Sequence, residues 1–122
     1  MKKEETIQNY LEAIHIVSLQ QENVRAIDIV NYLNFSRPTV SIALRQLEND
    51  GYISLDGYNI ILSSKGLDIA TSMYERHEYI ARILMKIGVD KKTAYEDSCL
   101  IEHDLSDESF EAIKSATVKM FN

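Results

Sequence analysis

The sequence predicts a mainly α chain: an N-terminal winged helix-turn-helix with a small β-hairpin wing, followed by an all-helical unit. Three observations predict it. Apolar residues recur at helical spacing along most of the 122 residues, and one Pro and four Gly leave few breaks. Ser36-Arg37-Pro38 separates two short amphipathic segments, with Ser36 suited to cap a helix and Pro38 to its first turn. Directly afterwards two short strand-like runs flank Asp56-Gly57, a hairpin signal.

Residues 4–20 read as the first helix, with Ile7, Tyr10, Leu11, Ile14, Val17 and Leu19 as its apolar side. Asn9, Glu12 and His15 form a polar strip at steps of three, the pattern of a solvated face or of a set of ligands. Ile27, Ile29, Val30 and Leu33 make a short second helix, closed by Asn34-Phe35. The third begins at Ser36 and buries Val40, Ala43, Leu44 and Leu47. Two helices joined by a turn of about four residues form a helix-turn-helix. On its second helix Arg37, Thr39, Ser41, Ile42 and Arg45 point outward. Small hydroxyls, one apolar contact for a thymine methyl and flanking guanidiniums suit a DNA major groove.

The charge pattern agrees locally. A net charge of −6 argues against non-specific nucleic-acid binding by the whole chain. From Arg25 to Arg45, however, three arginines face one acid, Asp28.

Gly51 ends the third helix, and Tyr52–Leu55 and Tyr58–Leu62 form the wing around Asp56-Gly57. Lys65, just beyond, suits a phosphate contact, whereas a helix-turn-helix used only for packing would leave all these cations solvated. Ser63 or Ser64 caps a long helix over about 65–87, which carries Leu67, Ile69, Met73, Ile80, Ile83 and Ile87, and His77 near its middle. A further helix is expected over 91–104 and a last one after Ser106, carrying Phe110, Ile113, Val118 and Phe121. The domains divide as 1–64, the winged helix, and 65–122, the helical unit. The second is too small to bury its apolar faces alone, so it is expected to pair with a second copy.

The helix over 91–104 carries Cys99, Glu102 and His103 at i, i+3 and i+4. At about 100° per residue a thiol, a carboxylate and an imidazole share one face, while Leu100 and Ile101 fall on the other, where a core would want them. Such a set supplies most of a transition-metal site, with the rest coming from another helix. The competing interpretation is a buried cysteine beside a surface Glu–His pair. A single Cys excludes an internal disulfide framework and fits a reducing cytoplasm. No apolar run approaches the ~18 residues of a membrane span.

Taken together, Asn9-Tyr10-Leu11-Glu12-Ala13-Ile14, Ser36-Arg37-Pro38-Thr39-Val40-Ser41, Leu62-Ser63-Ser64-Lys65-Gly66, Arg76-His77-Glu78 and Cys99-Leu100-Ile101-Glu102-His103 resemble the diphtheria-toxin-repressor family of metal-dependent regulators. The resemblance is to a short form without the family's SH3-like domain. It implies a homodimeric cytoplasmic repressor that binds a palindromic DNA operator, for which the residues expected at the DNA are Arg25, Ser36, Arg37, Pro38, Thr39, Ser41, Ile42, Arg45 and Lys65. It implies no enzymatic activity, no organic substrate and no membrane partner.

His77, Glu102 and His103 occupy positions that are metal ligands in the family. Cys99 matches the iron-type branch and Glu12 the manganese-type branch. Asn9 stands where manganese sensors have Asp, and Ala81 and Tyr95 stand where the iron-type branch has its second-site Glu and His. This hybrid implies Fe(II) or Mn(II) as co-repressor, with Zn(II) or Co(II) also compatible with the thiolate. The alternative is a metal-blind winged-helix regulator whose sensor has degenerated.

Overall fold

A computed structural model describes residues 3–121 of the chain. The element order is α1 (Lys3–Gln20), α2 (Ala26–Leu33), α3 (Arg37–Asn49), β1 (Ile53–Asp56), β2 (Asn59–Leu62), α4 (Ser64–Lys86), α5 (Lys91–Ile101) and α6 (Asp107–Thr117), then a 3₁₀ turn at Val118–Phe121. The chain is thus mainly helical, with one antiparallel hairpin behind the helix-turn-helix. It divides into two compact units, one ending at Ser72 and the next beginning at Met73, so the division falls inside α4.

The first unit is built around one apolar cluster. Tyr10, Leu11, Ala13 and Ile14 of α1 meet Ile29 of α2, Val40, Leu44 and Leu47 of α3, Ile53 and Ile60 of the hairpin, and Ala70 of α4. Each fully buried Leu, Ile or Val contributes about 1.5–3 kcal/mol against the entropy of ordering the chain. Local chemistry sets the joints. Asn34 closes α2 in the left-handed conformation at φ 59°, a conformation Asn tolerates better than most residues. Ser36 caps α3, its side chain accepting from the Thr39 amide at 3.3 Å. The base of the wing is fixed by Asn59, whose side-chain carbonyl accepts from the Val24 amide (2.9 Å), while the Ile60 amide donates to the Val24 carbonyl (2.8 Å).

The wing differs from the sequence expectation by one residue. Asp56 pairs with Asn59, so the two-residue loop is Gly57-Tyr58 and not Asp56-Gly57. Gly57 takes φ 64° at the first loop position while Tyr58 stays at negative φ, the pattern of a type II′ turn. A loop at Asp56-Gly57 would instead ask Asp56 to adopt the positive φ. After the wing, the Ser63 hydroxyl donates to the Tyr52 carbonyl (2.9 Å) and its oxygen accepts from the Gly66 amide (3.1 Å), so Ser63 is the cap of α4. Gly66 is required by this close approach: a Cβ there would stand 2.2 Å from the Tyr52 carbonyl oxygen.

In the second unit Met73, Ile80, Ala81, Ala94 and Phe110 are buried. Tyr79 contacts Phe110 and Phe121 edge-on, and its hydroxyl bonds to Thr117 at 2.7 Å. Asp90 caps α5 through the Thr93 amide, and Ser106 caps α6 through the Ser109 amide. The helix expected over 91–104 ends at Ile101, leaving Glu102 and His103 in the following turn. The reason is Arg76 of α4, only 4% exposed. Its guanidinium donates to the carbonyls of Glu102 (3.3 Å) and Leu105 (2.7 Å), groups that no further helical turn satisfies. It also pairs with Asp107 and stacks on Phe110.

Several apolar residues assigned to buried faces are exposed within one chain: Leu19, Leu67, Ile87, Leu100, Ile101 and Val118. Leu100 is the clearest correction, at 68% exposure. Helical spacing identifies an apolar face but not whether the same chain covers it.

Candidate metal centre and nucleic-acid interface

The second unit brings four of the six expected ligands together. His77 projects from the middle of α4, Cys99 from the last turn of α5, and Glu102 and His103 from the turn that Arg76 holds. His77 Nδ1 lies 3.3 Å from Cys99 Sγ and 3.2 Å from Glu102 Oε2. The other carboxylate oxygen, Glu102 Oε1, lies 3.3 Å from His103 Nε2. Glu102 therefore stands between two imidazoles, and its side chain is only 1% exposed. Asn9 and Glu12, the other two expected ligands, lie on α1 in the first unit, with Glu12 buried.

These residues fit a divalent transition metal on two grounds. Metal–donor bonds of about 2.0–2.3 Å at right or tetrahedral angles place neighbouring donors roughly 2.8–3.8 Å apart, which brackets the observed spacing. A carboxylate shielded from water between imidazoles is also costly without a compensating positive charge. The donors are one thiol, two imidazoles and one carboxylate, a borderline-soft set suited to iron, cobalt and zinc as well as manganese.

Two neighbours escaped the sequence reading. Arg76 appeared there only as part of a motif, yet it fixes the Glu102 backbone. Tyr95 appeared only as a departure from the family, yet its ring lies 5.3 Å from the His77 imidazole and its hydroxyl donates to Glu78 Oε2 at 2.8 Å. That hydrogen bond, with burial second, raises the Tyr95 phenol above its ordinary pKa. The available signal was spacing: Tyr95 and Cys99 are one helical turn apart, as are positions facing one partner helix.

In the first unit, the residues expected at DNA are all exposed: Arg25, Ser36, Arg37, Pro38, Thr39, Ser41, Ile42, Arg45 and Lys65. Ile42 is 65% exposed. Ser36 and Thr39 bond to each other at 2.7 Å, so their hydroxyls are oriented by the cap. Lys65 is engaged within the chain, its ammonium donating to the Asp50 carbonyl (3.1 Å) and lying 4.1 Å from the Tyr52 ring centre. A groove of about 520 Å³ runs between α3 and the wing, lined by Arg25, Ser41, Arg45, Leu55 and Tyr58. Tyr58, 84% exposed at the wing turn, was also missed. Among the described residues no helix is long and apolar enough to cross a membrane.

A winged helix joined to a helical unit with a sulfur, nitrogen and oxygen donor cluster defines a class of DNA-binding regulators, and the comparisons with known proteins agree. Residues 3–60 match the N-terminal DNA-binding domain of iron-dependent repressors, and residues 63–118 match the metal-binding and dimerisation domain. An uncharacterised helix-turn-helix transcriptional regulator of Methanocaldococcus jannaschii is 31% identical over 113 residues, covering 90% of each chain. The transcriptional regulator MntR of Escherichia coli is 29% identical over 118 residues, covering 96% of this chain and 76% of its own. The solved manganese regulator SloR is 25% identical with a TM-score of 0.78, covering 89% of this chain. A manganese-dependent repressor solved with manganese, 23% identical, shares the fold at a TM-score of 0.82 over 90% of this chain. The chain spans about half the length of these two solved proteins. The chain belongs to the iron-dependent repressor family, also known as the diphtheria-toxin-repressor family, whose members are transcriptional regulators and not enzymes.

Proposed function

We propose that the chain is a homodimeric transcriptional repressor that binds its operator only when its metal centre is filled, and that it serves metal-ion homeostasis. The observation that carries this is the convergence of Cys99, His77 and His103 on the buried Glu102 carboxylate. Fe(II) or Mn(II) is the proposed co-repressor: the thiolate favours iron, while the likeness to the solved manganese regulator SloR favours manganese. A bound divalent cation would place positive charge beside the buried Glu102 carboxylate.

The chain's own groups do the rest. His77 and His103 present ring nitrogens to opposite oxygens of Glu102, Cys99 contributes sulfur, and Arg76 holds the turn that carries Glu102. Asn9 and Glu12 of α1 are proposed as the remaining ligands on the strength of the resemblance. Drawing ligands from α1 as well as from α4 and the α5 turn would fix how the recognition helices of a dimer are spaced. A palindrome requires them one helical turn apart, about 34 Å, or a multiple of that. Metal-dependent affinity then comes from preorganisation, because fewer conformations are lost on DNA. At the DNA, Arg37, Thr39, Ser41, Ile42 and Arg45 are proposed to enter the major groove. Ser36 and Pro38 shape the entry to α3, and Arg25 and Lys65 face phosphates. The exposed Ile87, Leu100 and Ile101 suit the homodimer contact.

The test is an anisotropy titration against the DNA upstream of the protein's own gene. It is run at fixed salt in chelator, anaerobic Fe(II), Mn(II) and Zn(II). Binding that appears with Fe(II) or Mn(II) and is absent in chelator supports the proposal. Equally tight binding in chelator would favour the metal-blind alternative.

A further inference from the structure

Tyr95 belongs to none of the roles above. Its backbone is fixed on α5, where its carbonyl accepts from the hydroxyl of the fully buried Ser98 at 3.0 Å. Its ring packs at 45° to the His77 imidazole with centres 5.3 Å apart. Its hydroxyl reaches Glu78, the residue after His77 on α4, at 2.8 Å. Tyr95, Glu78 and His77 thus close a small loop of contacts between the two helices, one turn from Cys99.

The loop matters because of how a histidine turns. The terminal torsion of a His side chain is broad and roughly two-fold, so its rotamer alone does not decide which ring edge faces a ligand site. In this chain Nδ1 faces both Cys99 Sγ and Glu102 Oε2. The ring of Tyr95 packs against the imidazole as a wall, so reorienting the imidazole would disturb that packing. The wall is held in turn, since the phenol is anchored to Glu78 and would forfeit a charge-assisted hydrogen bond by moving.

We infer that Tyr95 is a positioning residue of the metal centre, holding His77 Nδ1 toward Cys99 and Glu102 through an aromatic wall that Glu78 anchors. The inference rests on the metal centre proposed above. It assigns Glu78 the part of an anchor and not of a ligand. Preorganised ligand orientation of this kind supports metal affinity, and its loss costs about 10- to 100-fold.

The test is a Co(II) titration of the full chain, read through the visible ligand-field bands and the thiolate-to-cobalt charge-transfer band. Tyr95→Phe, Tyr95→Ala, Glu78→Gln and Glu78→Ala are compared, and thermal unfolding of each metal-free variant is measured alongside. Tyr95→Ala is expected to weaken cobalt binding by about 10- to 100-fold and to shift the ligand-field bands. Tyr95→Phe and Glu78→Ala are expected to lose a smaller and similar amount, with no further loss when combined, since each removes the same anchor. Glu78→Gln keeps an acceptor oxygen and should stay close to wild type.

The inference is overturned if Tyr95→Ala lowers the unfolding temperature yet keeps wild-type cobalt affinity and spectrum, for then the tyrosine only packs helices. If Tyr95→Ala does not fold, additive losses in Tyr95→Phe and Glu78→Ala would overturn it equally. A wild-type chain that binds no cobalt would overturn the metal centre itself, a result distinct from either.

Discussion

Replacing Arg76 by Met separates two ways of holding the second unit together. Its side chain is 5% exposed and that of its ion-pair partner, Asp107, is 96% exposed. An ion pair with so exposed a partner contributes about 0–1 kcal/mol. The carbonyl contacts weigh more. Hydrogen bonds from a charged donor are worth about 1.5–3 kcal/mol, and losing one leaves a shielded carbonyl unmatched. The bond to Leu105 at 2.7 Å merits the upper part of that range and the bond to Glu102 at 3.3 Å the lower. Methionine keeps the aliphatic volume but loses the stacking of the guanidinium on Phe110. Arg76→Met is therefore expected to cost about 4–5 kcal/mol, and Asp107→Asn less than about 1 kcal/mol. Urea unfolding of the metal-free protein checks both. Equal losses in the two variants would refute the reasoning, since the ion pair would then carry the stability.

Gly66→Ala should destabilise the first unit by about 1–3 kcal/mol in the same assay, because the new Cβ meets the Tyr52 carbonyl oxygen, a backbone atom that cannot swing aside. At the DNA face, Arg25→Ala should flatten the dependence of log affinity on log salt by about 0.9, whereas Ile42→Ala should weaken binding with the slope unchanged. Lys65→Met decides between that residue's two engagements: a flatter salt slope marks a phosphate contact, and reduced stability at unchanged slope marks the Asp50 and Tyr52 contacts alone. Hydrogen bonds from the Thr93 side chain and amide hold the Asp90 carboxyl below its ordinary range. Its contribution to α5 is thus present at neutral pH and lost as pH falls through that lowered value. Asp90→Asn should lack this loss in urea unfolding at pH 7 and in strong acid.

The fold was legible where local chemistry and burial agree. Ser36 and Pro38 announced α3, and Val40, Leu44 and Leu47 announced its buried face, since all act within a turn or two. The donor cluster was legible for the same reason, as Cys99, Glu102 and His103 lie within five residues. What escaped depends on side chains meeting across sequence. The end of α5 was set by Arg76, 26 residues before Glu102, and no helix-stop signal at Ile101 marks it. The hairpin loop shifted by one residue because Asp56-Gly57 and Gly57-Tyr58 both place a glycine at a loop position, and the choice lies in strand pairing. The exposure of Leu100 was illegible because periodicity cannot tell a core from an unpartnered face. Tyr95 was visible as a departure from a pattern, but its purpose appears only once Glu78 and His77 are seen beside it.

The measurement that bears most directly on the central claim is operator binding by Glu102→Ala with and without metal, beside the wild type at the same salt. Glu102 is the group that joins both histidines, so its loss should leave a folded protein whose DNA affinity no longer changes when Fe(II) or Mn(II) is added. A Glu102→Ala protein that still gains affinity with metal would contradict the account, because the switch would then lie outside the cluster at the end of α5.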